Sequence, residues 1–192
     1  MDKDLVFLGI QWCGKWTQAK RLLQDLPNHL YFEMGQTLRA LMSSDNMIGN
    51  YIKDIVNTGK MIDNFITHDL IHTGLKIAEK NNKYFIIDWF PRLPEQAEYF
   101  SKKMEQMKRD FVIIHLQLPR EIALERMIKR AEIEWRKDDT PEIMKQRIDI
   151  FTNETMNVIT HFEKLGKVIT IDANHSIDDI QTELRNKLNF NN

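Results

Sequence analysis

The sequence predicts an α/β fold in three layers, a five-stranded parallel sheet wrapped by helices. Three observations predict it. Short, mostly continuous apolar runs recur at 5–10, 30–32, 84–87, 111–118 and 168–171, as strands covered on both faces require. Stretches with helical spacing separate these runs, and strand–helix alternation builds a parallel sheet. The first run ends in a glycine- and lysine-bearing turn, the usual place for a ligand loop in such a sheet.

Taken in order, the run 5–10 is the first strand and 15–26 the helix after it. The second run, 30–32, is followed by helical stretches at 37–42, 50–58 and 67–80. The third run precedes a helix at 94–108, and the fourth precedes helices at 121–130 and 141–165. Two segments read as additions to the core. The stretch from about Met34 to Asn64 carries helices but no strand, which suits a small helical flap. The stretch 130–139 is short, charged and unpatterned, which suits a moving loop.

The 192 residues fit one domain, 1–192, with 27 Lys+Arg against 28 Asp+Glu and a hydrophobic share of 42%. Near-neutral charge argues against a general nucleic-acid binder or a polybasic membrane binder. The single cysteine, Cys13, excludes an internal disulfide framework and a multi-cysteine metal site. His68, His72 and His161 show no convergent ligand spacing. Met127, Met144 and Met156 sit in helical patterns and are expected to pack. The opening MDKDLVFLGI resembles neither a secretory signal nor a membrane span, so a cytoplasmic protein is expected.

The chemistry starts at Gly9-Ile10-Gln11-Trp12-Cys13-Gly14-Lys15-Trp16-Thr17, between a strand and a helix. The Gly9…Gly14-Lys15 spacing is that of a phosphate-binding loop, whose backbone N–H groups wrap phosphate oxygens at a helix N-terminus. Lys15 would reach the β- and γ-phosphates, and a nearby hydroxyl would help to hold Mg²⁺. Near a helix N-terminus Cys13 could have a lowered pKa, but a small filler role is expected.

With this loop in place, the chain resembles the adenylate kinase family, nucleoside monophosphate kinases of the P-loop class. LVFLGIQWCGKWTQAKRLLQDL looks like the family's opening. The resemblance continues through MGQTLR (34–39), NTGKMID (57–63), IIDWFPRLPEQAE (86–98), ERMIKR (125–130), WRKDDTPEIMKQRI (135–148) and ITIDANHSIDDI (169–180). It implies a P-loop kinase fold with a helical acceptor-binding flap at 33–63 and a short lid at 130–139. It implies a monomer that uses ATP, a nucleoside monophosphate and Mg²⁺, with AMP + ATP giving two ADP as the first expectation and no nucleic-acid or membrane partner.

The resemblance also implies roles. Trp12, Cys13, Gly14, Lys15, Trp16 and Thr17 form the ATP loop. Arg126 and Arg130 stand at the lid mouth, one stacking on the donor adenine and the other gripping its phosphates, and His175 falls where a backbone group contacts that adenine. Arg39 and Arg92 hold the acceptor phosphate, and Gln96 reads its base. Met34, Lys60, Met61, Ile62 and Trp89 line the acceptor pocket. Arg136 and Arg147 clamp the transferring phosphoryl, and Asp88, with Thr17 nearby, orients the Mg²⁺ shell without a direct metal ligand. The implied catalytic set is therefore Lys15, Asp88, Arg92, Arg130, Arg136 and Arg147. Such a set suits the chemistry, because phosphoryl transfer is catalysed by positioning and charge neutralisation.

Departures from the family stand out. Met34 replaces the Thr associated with AMP and the Ala associated with pyrimidine monophosphates. Gln36 replaces a common Asp, and Asp63 a frequent Pro. A UMP/CMP kinase is the alternative within the class. All four tryptophans, Trp12, Trp16, Trp89 and Trp135, fall where the family pattern (GxxGxGKGT, DGFPR, GRxDD) has Gly. The chain has 7 Gly where average usage of about 7% gives roughly 13. UGA lies one base from UGG (Trp) and from GGA (Gly), and some bacteria read UGA as Gly, so misread UGA codons would explain all four together. If the four are genuine, the expectation becomes a catalytically impaired binding protein, because a phosphate loop needs the conformational freedom and close approach of glycine.

Overall fold

The computed structural model describes residues 1–58, 60–131 and 141–189, with the backbone alone for 130, 131, 141 and 142. Five strands, β1 (Asp4–Leu8), β2 (His29–Glu33), β3 (Tyr84–Asp88), β4 (Phe111–Gln117) and β5 (Val168–Asp172), form one sheet in the order β2-β3-β1-β4-β5. Every pairing is parallel. β1 lies at the centre and is buried along its whole length, while the edge strands β2 and β5 are half-buried for most of theirs. The continuous apolar runs of the sequence reflect this two-sided burial.

Helix α1 (Lys15–Gln24) follows β1. Helices α2 (Met34–Met42), α3 (Met47–Val56) and α4 (Asn64–Lys80) join β2 to β3, and α5 (Pro94–Gln106) joins β3 to β4. Because parallel crossovers are right-handed, the step from β1 outward to β2 puts α1 on one face. The steps from β2 to β3, β3 to β4 and β4 to β5 run the other way and put their helices on the opposite face. The packing agrees, since α4 lies against α5. β1 therefore leaves the sheet toward one face while its neighbours β3 and β4 leave toward the other, which opens a crevice at their C-terminal ends.

Between β4 and β5 run α6 (Arg120–Ala131) and α7 (Pro141–Ile150), then a π-helical turn (Phe151–Thr155) and α8 (Met156–Lys164). The single helix expected at 141–165 is thus interrupted by one wider turn. A closing helix, α9 (Ile177–Lys187), was not in the sequence reading, although its signals are present. Ser176 caps it by accepting from Asp179 N–H. Asp178 and Asp179 occupy its first turn, and Arg185 and Lys187 its last. α9 packs on α1 and β5.

Among its described residues, the segment 33–63 holds α2 and α3 and no further strand beyond the end of β2. The expected lid, 130–139, lies almost wholly outside the described residues, and with it Trp135 and Arg136. The base of the sheet is fastened by Asp4, fully buried. It accepts from Phe85 N–H at 2.6 Å and from the Arg109 guanidinium at 2.7 and 2.8 Å. Among the described residues, no helix is long and apolar enough to cross a membrane.

Candidate active site

The crevice holds a cavity of about 770 Å³, built from the β1–α1 loop, the start of the flap, the end of β3 and helix α7. Its floor is the glycine-bearing loop. A Cβ at Gly9 would lie 2.6 Å from the Leu116 carbonyl and 2.7 Å from Cys13 Sγ, so only glycine fits there. Gly14 takes φ 95° and serves as the N-cap of α1, turning the chain so that the helix starts at the loop. Lys15 is buried and folds back, donating to the carbonyls of Gly9 (2.8 Å) and Ile10 (3.1 Å). Cys13 is fully buried behind the loop, its N–H donates to Ile10 O, and burial pushes its thiol pKa up, as suits a packing residue.

Two tryptophans adopt backbone conformations that suit glycine. Among the described residues, five non-glycine residues have positive φ. Asn82, Lys108 and Asn189 lie just past the ends of α4, α5 and α9, where left-handed residues are ordinary. The other two are Trp12 at φ 69° and Trp89 at φ 74°, each in a loop at the C-terminal edge of the sheet. A left-handed bulky residue costs about 1–2 kcal/mol. Trp16 differs, lying in α1 and 58% exposed. All three line the cavity.

Asp88 ends β3 in full burial and faces the same space. Its Oδ2 accepts from the Tyr31 hydroxyl at 3.2 Å, and its Oδ1 is buried without a hydrogen-bond partner. Burial pushes its pKa up to about 6, with Lys15 opposing and Glu33 reinforcing. Thr17, in the first turn of α1, lines the cavity too. An orphaned carboxylate oxygen and a hydroxyl lining one cavity suit a hydrated Mg²⁺, which keeps several waters and takes few protein ligands. Among the described residues no group of three or more His, Cys, Asp and Glu could enclose a metal directly.

Arg92 and Arg147 line the cavity together. Burial and the neighbouring Arg147 charge lower the Arg92 pKa to about 10. Two neighbouring cations at one cavity, with the Asp88 charge acting on Arg92, suit an anionic ligand. The Arg92 backbone is fixed at both ends. Its N–H donates to Gln96 Oε1 at 2.9 Å, and its carbonyl accepts from the Thr155 hydroxyl at 3.0 Å. Thr155 comes from the π turn, so the interrupted helix supplies a support for Arg92. Its guanidinium lies 4.7 Å from the Trp89 ring centroid.

On the flap side, Met34, Lys60, Met61, Ile62 and Arg39 line the cavity. Arg39 Nη2 donates to Glu33 Oε1 at 2.8 Å. Gln96 is buried, and its amide is fully engaged, donating to Asn64 Oδ1 (3.0 Å) and Thr67 Oγ1 (3.4 Å). Met127 and Met144 pack as expected, and their buried side chains form part of the wall. Met156 is half-buried against the core.

Arg126 and His175 stand apart from the cavity lining. Arg126 donates to the carbonyls of Trp12 (3.4 Å) and Ala173 (3.0 Å), tying the phosphate loop to the loop after β5. His175, exposed in that second loop, pairs with Asp172. The Arg130 side chain and Arg136 lie outside the described residues. Sequence reasoning missed Tyr31, Glu33, Asn64, Thr67 and Thr155. None belongs to a motif, and only the tertiary contacts expose them.

A family profile described as adenylate kinase matches residues 7–167. An adenylate kinase of Prochlorococcus marinus (strain MIT 9301) is 29% identical over 98% of this chain and all of its own length. A uridylate kinase of Saccharomyces cerevisiae is 30% identical over 94% of this chain and 88% of its own. A UMP-CMP kinase of Lentinula edodes is 30% identical over 93% and 82%. With a matching profile over most of its length and a cavity where loop, carboxylate and arginines meet, the chain belongs to the adenylate kinase family of nucleoside monophosphate phosphotransferases.

Proposed function

We propose that this enzyme transfers the γ-phosphoryl of ATP to AMP, giving two ADP, in the cavity between the phosphate loop and the flap. The observation that carries the reading is the convergence of Lys15, Arg39, Arg92 and Arg147, from four separate parts of the chain, on one cavity with a buried carboxylate. Two polyanions approaching each other need this charge from fixed groups. The loop N–H groups and Lys15 hold the donor, Lys15 leaving two backbone carbonyls to reach the phosphates. Arg39 and Arg92 hold the acceptor phosphate in line, and Arg92 and Arg147 flank the moving phosphoryl. Mg²⁺, when bound with ATP, would neutralise phosphate charge. Thr17 and Asp88 would hold its water shell, Asp88 through the oxygen that has no protein partner. Arg130, Arg136 and Arg126 act from the lid side. Arg126 keeps the donor loop and the 173–175 loop together, beside which His175 meets the adenine.

A second reading keeps the chemistry and changes the acceptor to UMP or CMP. It is favoured by Met34, which lines the cavity, and by the engaged amide of Gln96, which leaves less hydrogen-bonding capacity for a base edge. A coupled assay of ADP release with AMP, UMP and CMP separates the two. AMP as the fastest acceptor supports the first, and preference for a pyrimidine overturns it.

The active form carries glycine at 12, 16, 89 and 135. The left-handed backbone at Trp12 and Trp89 supports this, as does the placement of three indoles in the very cavity that must admit phosphates. With tryptophan at those positions the protein is a catalytically impaired nucleotide binder. Mass spectrometry of the protein from its own host decides between them: glycine masses support the proposal, and tryptophan masses overturn it.

A further inference from the structure

We infer that Glu33 determines the acceptor affinity, acting as the counter-ion that the acceptor phosphate must displace from Arg39. Glu33 is the last residue of β2 and the N-cap of α2, yet its side chain makes no capping hydrogen bond. Its Oε1 takes the Arg39 guanidinium at 2.8 Å instead. Gly35 leaves the room for this pair, since a Cβ there would lie 3.1 Å from Arg39 Nη1 and 3.6 Å from Glu33 Oε1. The carboxylate is mostly withdrawn from water, its side chain 15% exposed, whereas the Arg39 side chain is 43% exposed. Both residues line the cavity.

Glu33 also stands directly beside Asp88 in the β2–β3 register, so two carboxylates share this end of the sheet. A monophosphate dianion drawn to Arg39 meets the Glu33 charge at the same guanidinium. The two anions compete for its donors and repel each other in a partly desolvated site. The ion pair itself is largely exposed on the arginine side and is weak enough to be exchanged. Glu33 therefore weakens acceptor binding and keeps the Arg39 charge paired while the site is empty. This inference rests on the proposed acceptor role of Arg39.

The test is equilibrium titration of AMP and UMP, without donor, into the wild-type chain and into Glu33→Gln, Glu33→Ser and Glu33→Asp, with thermal melts to confirm folding. The glutamine and serine variants are expected to bind the monophosphate about five- to tenfold more tightly, and the aspartate variant to stay within twofold of wild type. In turnover assays the gain appears in the acceptor KM and not in the donor KM. Unchanged or weaker binding by both Gln and Ser variants overturns the inference, weaker binding meaning that Glu33 merely positions Arg39. Having two neutral variants keeps the test valid if one fails to fold. Binding of neither monophosphate to any version overturns the acceptor reading itself and this inference with it.

Discussion

Lys15 and Arg39 are both cations that line the cavity, and the protein restrains them in opposite ways. Lys15, in the phosphate loop, is buried and donates to two neutral backbone carbonyls. Arg39, in the flap, is exposed and held by a carboxylate. A neutral partner gives way to a phosphate without opposing its charge, whereas a charged partner stays beside the site and opposes it. On the proposed function, the loop side would be limited by shape, by whether the backbone can reach the phosphate, and the flap side by charge.

The largest effect should come from testing shape on the loop side. Replacing Trp12, Trp16, Trp89 and Trp135 together by Gly should raise turnover by at least about a hundredfold, the scale on which preorganised backbone donors act. It should also add a thermal shift with a bisubstrate analogue of two adenosines joined by five phosphates. Restoring Trp12 and Trp89 alone should remove most of the gain, because those two sit at φ 69° and 74°. Restoring Trp16 alone should matter less to stability, since its backbone is helical. Equal turnover in the four-Gly and four-Trp proteins would break the distinction between a shape-limited and a charge-limited side.

The next effect belongs to the cations between the two regions. Arg92→Ala and Arg147→Ala should each lower kcat by about 10²–10³-fold with little change in melting temperature, as losses felt mainly in the transition state. Near wild-type turnover in both would remove them from the clamp. Arg39→Ala should act differently, raising the acceptor KM by about tenfold or more while leaving the donor KM in place. An equal rise in both constants would show that the flap arginine does not discriminate acceptor from donor.

The last effect, a change of slope left after two opposing contributions, concerns the buried groups under the site and is read in stability against pH. Asp88 is raised to about 6, so the folded state holds its proton more tightly than the unfolded state does. Its contribution to stability is present below the unfolded pKa of about 3.9 and falls as pH rises to about 6, by about 3 kcal/mol if the shift is fully expressed. His115, buried on β4 and lowered to about 4, works in the opposite sense. The unfolded state binds its proton more tightly, so stability rises with pH from about 4 to about 6.5. The two slopes offset each other between pH 4 and 6. Asp88→Asn should therefore make stability rise more steeply with pH in that window, as followed by urea midpoints. A slope no steeper than wild type would mean that Asp88 is not held neutral by burial.

Much of this was legible without coordinates. All five strands appear as apolar runs, because burial on both faces of the central strands, and in part of the edge strands, leaves a local, continuous signature. The phosphate loop is legible because its glycines and lysine are close in sequence and obey local backbone geometry. The same locality explains why tryptophan at 12 and 89 looks wrong on sight and why the structure finds left-handed backbone there. The closing helix Ile177–Lys187 carries local signals in its Ser176 cap and its charge gradient, but its sparse apolar stripe gives it a weak helical period. The interruption at Phe151–Thr155 leaves no periodic mark, since one wider turn barely shifts the pattern.

Sequence by itself determined the order of elements, the parallel sheet, the loop and the candidate cations, because periodicity and short motifs are properties of neighbouring residues. Only the tertiary structure decided how those groups are restrained. The Thr155 hydroxyl reaches the Arg92 carbonyl across 63 positions, Arg126 reaches Ala173 across 47, and Gln96 meets Asn64 across 32. The Asp88 carboxyl is raised by burial that five strands create together. Hydrogen-bond partners and desolvation depend on distance in space, and that distance is set only when the helices close over the sheet.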